Sequence, residues 1–326
     1  MHEQQCATPC SIDSVRRIAM LVNPVFSSWR RRTIPHIRRI FEAEGIDVRL
    51  VETPPASSGR RILPELDLDA VIVCGGDGTV FGLLKEIAGT GIPIGICPLG
   101  TGNILAQNLG IPRNPVAAAK ALLQAQPITV PLAKATFGAP QQESLFAMSA
   151  GIGGHAAMMR AAYRYGKHRT GRLAYFAAGF ELLATHALEP FELEITTTSG
   201  ETVIRVSSEM IAVRVSSLNL WRPGGGLQFP FLRLASVEGA SRLRLLQASV
   251  QALALGAGRR DRMPGPRSAA RYEDILRVQA RTIPQQRYTR QLSLQADGEI
   301  LSTLTPDAPV TIEMAGVSSD FLRVID

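Results

Sequence analysis

The stretch Val71-Ile72-Val73-Cys74-Gly75-Gly76-Asp77-Gly78-Thr79 decides how the rest of the chain is read. Asp69 to Cys74 is apolar and rich in β-branched residues, which predicts a buried strand, and Thr79 to Ala88 reads as a helix. A glycine-rich turn joins them. Glycine lets the backbone approach a ligand closely, and the unpaired N–H groups of a helix start attract anionic oxygens. The turn therefore reads as a phosphate site. Asp77 adds a condition, because a carboxylate beside phosphate is repulsive unless a cation bridges the two or the carboxylate takes a proton. This favours catalysis over simple binding.

Upstream of the turn, Arg17 to Val22 is a short strand ending at Asn23-Pro24. From Trp29 to Glu44, Ile34, Ile37, Ile40 and Phe41 recur at helical spacing opposite Arg31, Arg38 and Arg39, an amphipathic helix that Gly45 stops. Asp47 to Glu52 gives a second strand, Pro54 to Ser58 a loop, and Arg60 to Leu66 a helix. Downstream come a strand from Pro93 to Cys97, the small-residue loop Pro98-Leu99-Gly100-Thr101-Gly102-Asn103 with Asn103 as a helix cap, and another helix. Asn114-Pro115 opens a further helix through Leu123. Alternating strand and helix predict a parallel sheet covered on both faces, with ligands beyond the carboxyl ends of the strands, where both glycine loops fall.

After Ile128 the pattern turns strand-like over Thr129–Phe137, Ser144–Ser149, Phe191–Thr198, Val203–Ser207, Ile211–Val215, Leu243–Ala248, Ile275–Ala280, Gln291–Gln295 and Val310–Met314. This texture predicts a β-sandwich or barrel-like second domain. A helical stretch, His155 to His186, and a basic loop, Gly256 to Arg271, interrupt it, and there is no internal repeat. Residues 1 to 14 carry no pattern and read as a flexible tail.

The 326 residues are enough for two domains and a sizeable core, with 45% hydrophobic residues. The absence of a long apolar run and of a leader-like start leads to the expectation of a cytoplasmic protein without a spanning helix. Cys6, Cys10, Cys74 and Cys97 suit reduced thiols rather than a disulfide framework. A net charge of +7 favours nucleotides or anionic lipid surfaces as partners, and the sparse aromatics argue against nucleic acid.

The central turn lacks the Gly-Lys-Ser/Thr ending of a P-loop and the Gly-x-Gly-x-x-Gly of dinucleotide folds, and alone reads equally as an ordinary tight turn. Gly100-Thr101-Gly102-Asn103 adds a second loop, and two such loops side by side cradle a polyphosphate. Asp297-Gly298-Glu299 lies far along the chain; it reads as a hairpin turn, or, if extended, as two carboxylates on one side for a base or a magnesium ion. Ala147-Met148-Ser149-Ala150-Gly151 nearly spells a hydrolase elbow but reads better as a strand end. His155 at a helix start, the row Arg160, Arg164, Lys167, Arg169 and Arg172, and the Arg259-Arg260-Asp261-Arg262 loop each have a structural or solvated reading beside a headgroup-facing one.

From about Ile18 onward the chain resembles the diacylglycerol kinase catalytic family, which includes sphingosine, ceramide and bacterial soluble lipid kinases. The resemblance rests on Gly75–Thr79, the segment Pro98–Pro112 and Ala296-Asp297-Gly298-Glu299, in that order. Departures fall at Val25-Phe26-Ser27-Ser28, Phe81-Gly82, Ile104, Gly154-His155 and Glu238; the nucleotide core is well matched and the acceptor side is not.

The resemblance implies an α/β plus β architecture with an active site in an interdomain cleft. A Rossmann-like three-layer ATP-binding domain would span 15–126 plus 308–326, and a lipid-binding β-sandwich 127–307. It implies ATP with Mg2+, a lipid met at the membrane surface by peripheral association, and leaves room for a homodimer. Asn23 and Thr53 join Gly75, Gly76, Gly78, Thr79, Gly100, Thr101, Gly102 and Asn103 at the nucleotide. Asp297 is the implied base, with Asp77 and Glu299 as catalytic and metal-holding carboxylates. The expected activity is transfer of the γ-phosphoryl group to diacylglycerol or a sphingoid-like alcohol. Its rivals are a kinase of a soluble acceptor such as NAD, which also uses a Gly-Gly-Asp-Gly loop, and a regulator that binds nucleotide or lipid.

Overall fold

The computed structural model describes residues 15–23, 28–53, 63, 67–153, 156, 189–215, 226–238, 270–288 and 291–325. The predicted tail, the Pro54–Ser58 loop, the strand at 243–248 and the Arg259–Arg262 loop lie outside these residues. So do His155 and the cationic row from Arg160 to Arg172, and the helices expected at 60–66 and 155–186 do so apart from Leu63 and Ala156. The chain divides into two units, residues 1–130 with 318–326, and residues 131–317.

The first unit is built from β1 (Arg17–Val22), α1 (Ser28–Ala43), β2 (Asp47–Glu52), β3 (Ala70–Gly75), α2 (Asp77–Ile87), β4 (Ile94–Pro98), α3 (Ile104–Asn108) and α4 (Pro115–Leu122). The four strands run parallel in the order β4-β3-β1-β2. All residues of β3 and β4 are buried. Since successive side chains point to opposite faces, both faces of these strands are covered. In α1 the apolar stripe holds, with Ile34, Ile37 and Phe41 buried, and Gly45 takes φ +76° to end the turn. Helix α1 packs on α4, α4 on β4, and α2 on β3. Helix α2 starts two residues earlier than the pattern suggests, because Gly76 supplies its cap and the N–H groups of Thr79 and Val80 already reach the Gly76 carbonyl.

The second unit holds most of β5 (Gln126–Phe137), then β6 (Gln142–Phe146), β7 (Ser149–Ile152), β8 (Phe191–Thr197), β9 (Thr202–Val213), β10 (Leu232–Glu238), β11 (Arg271–Thr282), β12 (Ser293–Ala296) and β13 (Glu299–Thr303). It also holds the first part of β14 (Val310–Arg323), whose other end belongs to the first unit, where Phe321 pairs in parallel with Ile94. Strand β9 is antiparallel to β8 over its first half and to β10 over its second, while β11 pairs β10 at its start and β8 beyond. These four strands therefore close into a circuit, with Phe191, Leu193, Ile195, Ile275 and Val278 buried. Outside the circuit, β7 pairs β9 and β12, and β13 closes a hairpin on β12. The stretches Val203–Ser207 and Ile211–Val215, expected as two strands, are one strand, β9, over Thr202–Val213; the intervening Ser208-Glu209-Met210 is buried, with Glu209 and Met210 in register with β10 and Ser208 at a register shift. Strand β10, short of β-branched residues, carried no strand signal.

Candidate functional site

Four strand ends converge on one edge of the parallel sheet. Asn23 follows β1, and Thr53, buried after β2, donates its N–H to the Val22 carbonyl at 3.0 Å. Gly75 ends β3 opposite Pro98 at the end of β4, and the Leu99 N–H reaches the Gly75 carbonyl at 2.9 Å. The two glycine loops thus emerge side by side, and the nucleotide-binding residues expected from the resemblance are drawn together within the first unit.

Contact between the loops is backbone against backbone. A Cβ on Gly100 would stand 2.5 Å from the Gly76 Cα, and one on Gly76 would stand 2.9 Å from the Gly100 Cα. Only glycine at both positions permits this approach. Asn103, in the left-handed region at φ +50°, brackets Gly100 from the far side: its Oδ1 accepts the Gly100 N–H at 3.0 Å and its Nδ2 donates to the Gly100 carbonyl at 2.9 Å. The expectation of Asn103 as a side-chain helix cap is therefore corrected, since its side chain makes no cap bond to α3.

That task falls to Asp77. Its Oδ2 accepts from the Ile104 N–H and its Oδ1 from the Leu105 N–H, both at 3.1 Å. One carboxylate from the first loop thus caps the helix that the second loop begins. Its charge faces two peptide donors at a helix start, the place where an anion is favoured. Gln107 was not singled out from the sequence; its Nε2 donates to the Gly102 carbonyl at 2.8 Å and to the Asn103 carbonyl at 3.1 Å, and Arg113 holds its Oε1. An amide one turn after the glycines was the available signal.

In the second unit, Asp297-Gly298 is a two-residue hairpin turn between β12 and β13, with φ +45° and +90°. The extended alternative is thereby excluded, and Glu299 heads β13 opposite Ala296. Asp297 is 6% exposed. Its Oδ2 accepts from the Ala147 N–H at 2.8 Å, and its Oδ1 from the Met148 and Ser149 N–H groups at 2.8 and 2.9 Å. Its own N–H donates to the Ser149 carbonyl at 2.8 Å. The segment that nearly spelled a hydrolase elbow is instead the cradle of this carboxylate, acting through peptide groups.

Among the described residues no three His, Cys, Asp or Glu side chains gather as a metal cage. Magnesium needs fewer, typically one or two carboxylates with phosphate oxygens and water. Asp77, a single carboxylate at two phosphate-type loops, fits that need. Among the described residues no helix is long and apolar enough to cross a membrane.

Residues 17–135 match the family model of the diacylglycerol kinase catalytic domain. A diacylglycerol kinase of Mycobacterium tuberculosis is 35% identical over 126 residues, 37% of this chain and 40% of the relative. Sphingoid long-chain bases kinase 1 of Arabidopsis thaliana is 28% identical over 124 residues, 34% of this chain and 16% of the relative. The match thus spans two fifths or less of these relatives. A crystal structure of a diacylglycerol kinase from Bacillus anthracis strain Sterne is similar over 96% of this chain and 99% of that one, with a TM-score of 0.60 and 17% identity, a likeness of fold.

Proposed function

We propose, for a chain whose residues 17–135 match the diacylglycerol kinase catalytic domain, transfer of the γ-phosphoryl group of ATP to the hydroxyl of a membrane lipid. The observation that carries this reading is the pair of glycine loops packed backbone on backbone and clamped by Asp77 at the strand ends, with Asn103 fixing the second loop from within. Peptide N–H groups of Gly76, Gly78, Thr101 and Gly102 hold the phosphates, with Gly75, Thr79, Gly100 and Asn103 shaping the two loops around them and Asn23 and Thr53 beside the nucleotide. Asp77 keeps the loops in register, and Asn103 holds the shape of the second. Asp77 is also the carboxylate that would hold magnesium, and the ion, when bound, neutralises charge on the phosphoryl oxygens.

Asp297 takes the proton of the acceptor hydroxyl as its oxygen bonds to the γ-phosphorus and ADP departs with the bridging oxygen. The three peptide N–H groups on Asp297 hold its carboxylate in one orientation for that transfer. Glu299, two residues on, supports the metal or the base. Diacylglycerol or a sphingoid-like alcohol is the acceptor class, met by peripheral association with a membrane.

The test is transfer of labelled γ-phosphate from Mg-ATP to a total lipid extract in mixed micelles. Wild type should label a lipid, and Asp77→Ala and Asp297→Asn should not. ATP binding without any labelled lipid would move the reading to a soluble acceptor or a nucleotide-sensing regulator.

A further inference from the structure

The second unit contains a buried arginine that the proposed chemistry does not use. Arg214, directly after β9, is fully buried. Its Nη2 donates to the Leu227 carbonyl at 2.7 Å and the Phe229 carbonyl at 3.0 Å, and its Nη1 to the Phe231 carbonyl at 3.3 Å and the Met314 Sδ at 3.0 Å. Burial pushes the guanidinium down to about 10, and Asp297 acts in the opposite direction, so it remains a cation at neutral pH. Three carbonyls of one five-residue loop are therefore satisfied from inside, and the Phe229 N–H is satisfied by the Gly226 carbonyl at 3.1 Å.

The outer side of that loop is apolar. Phe229 and Phe231 stack with ring centroids 5.1 Å apart, and Phe229 is 44% exposed. Leu232 at the start of β10 pairs with Ile275, both buried, and Leu276, the next residue of β11, lies at a register shift and is 43% exposed. Gln228 and Pro230 complete an exposed tip. The patch is too small for a stable dimer, since three side chains fall well short of the ~800 Å2 per partner that specific interfaces bury. A lipid surface asks for less area but sets another condition: a loop entering it must leave no backbone polar group unpaired. Arg214 meets that condition for three carbonyls, and the net charge of +7 complements anionic headgroups.

We propose that the loop Leu227–Phe231, pinned by Arg214, is the wedge through which this protein enters an anionic lipid bilayer, with Phe229, Phe231 and Leu276 as the inserted side chains. This gives the lipid-kinase reading its docking point and rests on that reading for its purpose, though not for its test.

The test is flotation of the full chain, without nucleotide, with phosphatidylcholine vesicles lacking or containing phosphatidylglycerol. Phe229→Ser should lower partitioning onto the anionic vesicles about five- to tenfold, as expected for losing one buried aromatic side chain, with the melting midpoint unchanged. Phe229→Trp should float like wild type and shift its emission to the blue on the same vesicles. Wild-type partitioning in Phe229→Ser, or no blue shift in Phe229→Trp, overturns the proposal; a change in sedimentation of Phe229→Ser would assign the patch to a second copy and overturn it equally. Phe229-dependent flotation without lipid phosphorylation would sink the kinase reading alone. Phosphorylation of dispersed short-chain lipid with Phe229-independent flotation would sink the wedge alone.

Discussion

Asp77 and Leu105, twenty-eight positions apart, are joined by a carboxylate–peptide hydrogen bond of 3.1 Å, and the neighbouring Ile104 N–H takes the other oxygen at the same distance. The acidic residue of the first glycine loop is thus the cap of the helix that follows the second. Asp77→Ala should cost about 0.5–2 kcal/mol, as helix caps do, and abolish transfer. Asp77→Asn keeps one acceptor oxygen and should lose less stability. Chemical denaturation beside a magnesium titration of activity checks this: a raised magnesium requirement in Asp77→Asn supports a metal-holding role, and an unchanged one leaves Asp77 purely as a clamp.

Gly100 admits no side chain. A methyl group there would sit 2.5 Å from the Gly76 Cα and 2.7 Å from the Asn103 Oδ1. Gly100→Ala should destabilise the first unit by about 1–3 kcal/mol through overpacking and weaken ATP binding more than tenfold, read by calorimetric titration. Gly82→Ala meets nothing within 4 Å and should leave ATP affinity as in wild type.

Asp297 faces three peptide donors in a buried place. Replacing its carboxylate by an amide turns one acceptor into a donor aimed at donors. Asp297→Asn should therefore lose about 1–3 kcal/mol or more, the cost of a buried unsatisfied group, as well as transfer. ATP affinity should persist if the glycine loops hold the nucleotide, because they lie in the first unit. Full turnover in a folded Asp297→Asn would remove it from the base role.

Asp69 accepts the Arg16 and Arg17 N–H groups at 2.7 and 2.8 Å. The Arg16 bond comes first in holding its carboxyl below the usual value of 3.8; burial opposes, and the Arg17 bond and both arginine charges add to the lowering. A carboxyl lowered in the folded state stabilises the fold above its ordinary value, and that contribution disappears as pH falls through the lower, folded value. Asp69→Asn should narrow the difference in melting temperature between neutral and strongly acidic buffer. An identical acid response in the variant would exclude the contribution.

Cys74 and Cys97 are register partners on β3 and β4, both fully buried. A hydrogen bond with Cys97 and then burial push the Cys74 thiol well above its usual 9.0. Since the thiolate is the reactive form, iodoacetamide at neutral pH should leave Cys74 unmodified in native protein and alkylate it after unfolding, as read by peptide mass.

The alternation of strand and helix up to Leu123, the two glycine loops and their place at strand ends were legible in the sequence, because hydrophobic period and glycine placement are local signals. The Asp297-Gly298 hairpin was legible for the same reason: positive φ at two successive positions is a demand that Asp-Gly meets cheaply. Partnerships over long separations were not. Nothing near Asp77 tells that its carboxylate serves the N–H groups of Ile104 and Leu105, nor does anything near Asp297 point to Ala147, Met148 and Ser149, because peptide donors carry no side-chain identity to read. Strand β9 likewise looks broken at Ser208-Glu209 until β10 pairs across it through a register shift. Local chemistry thus specified the elements and where the glycine loops would lie; only folding, by bringing distant backbone against particular side chains, decided which carboxylate clamps the loops and which is cradled by peptide groups.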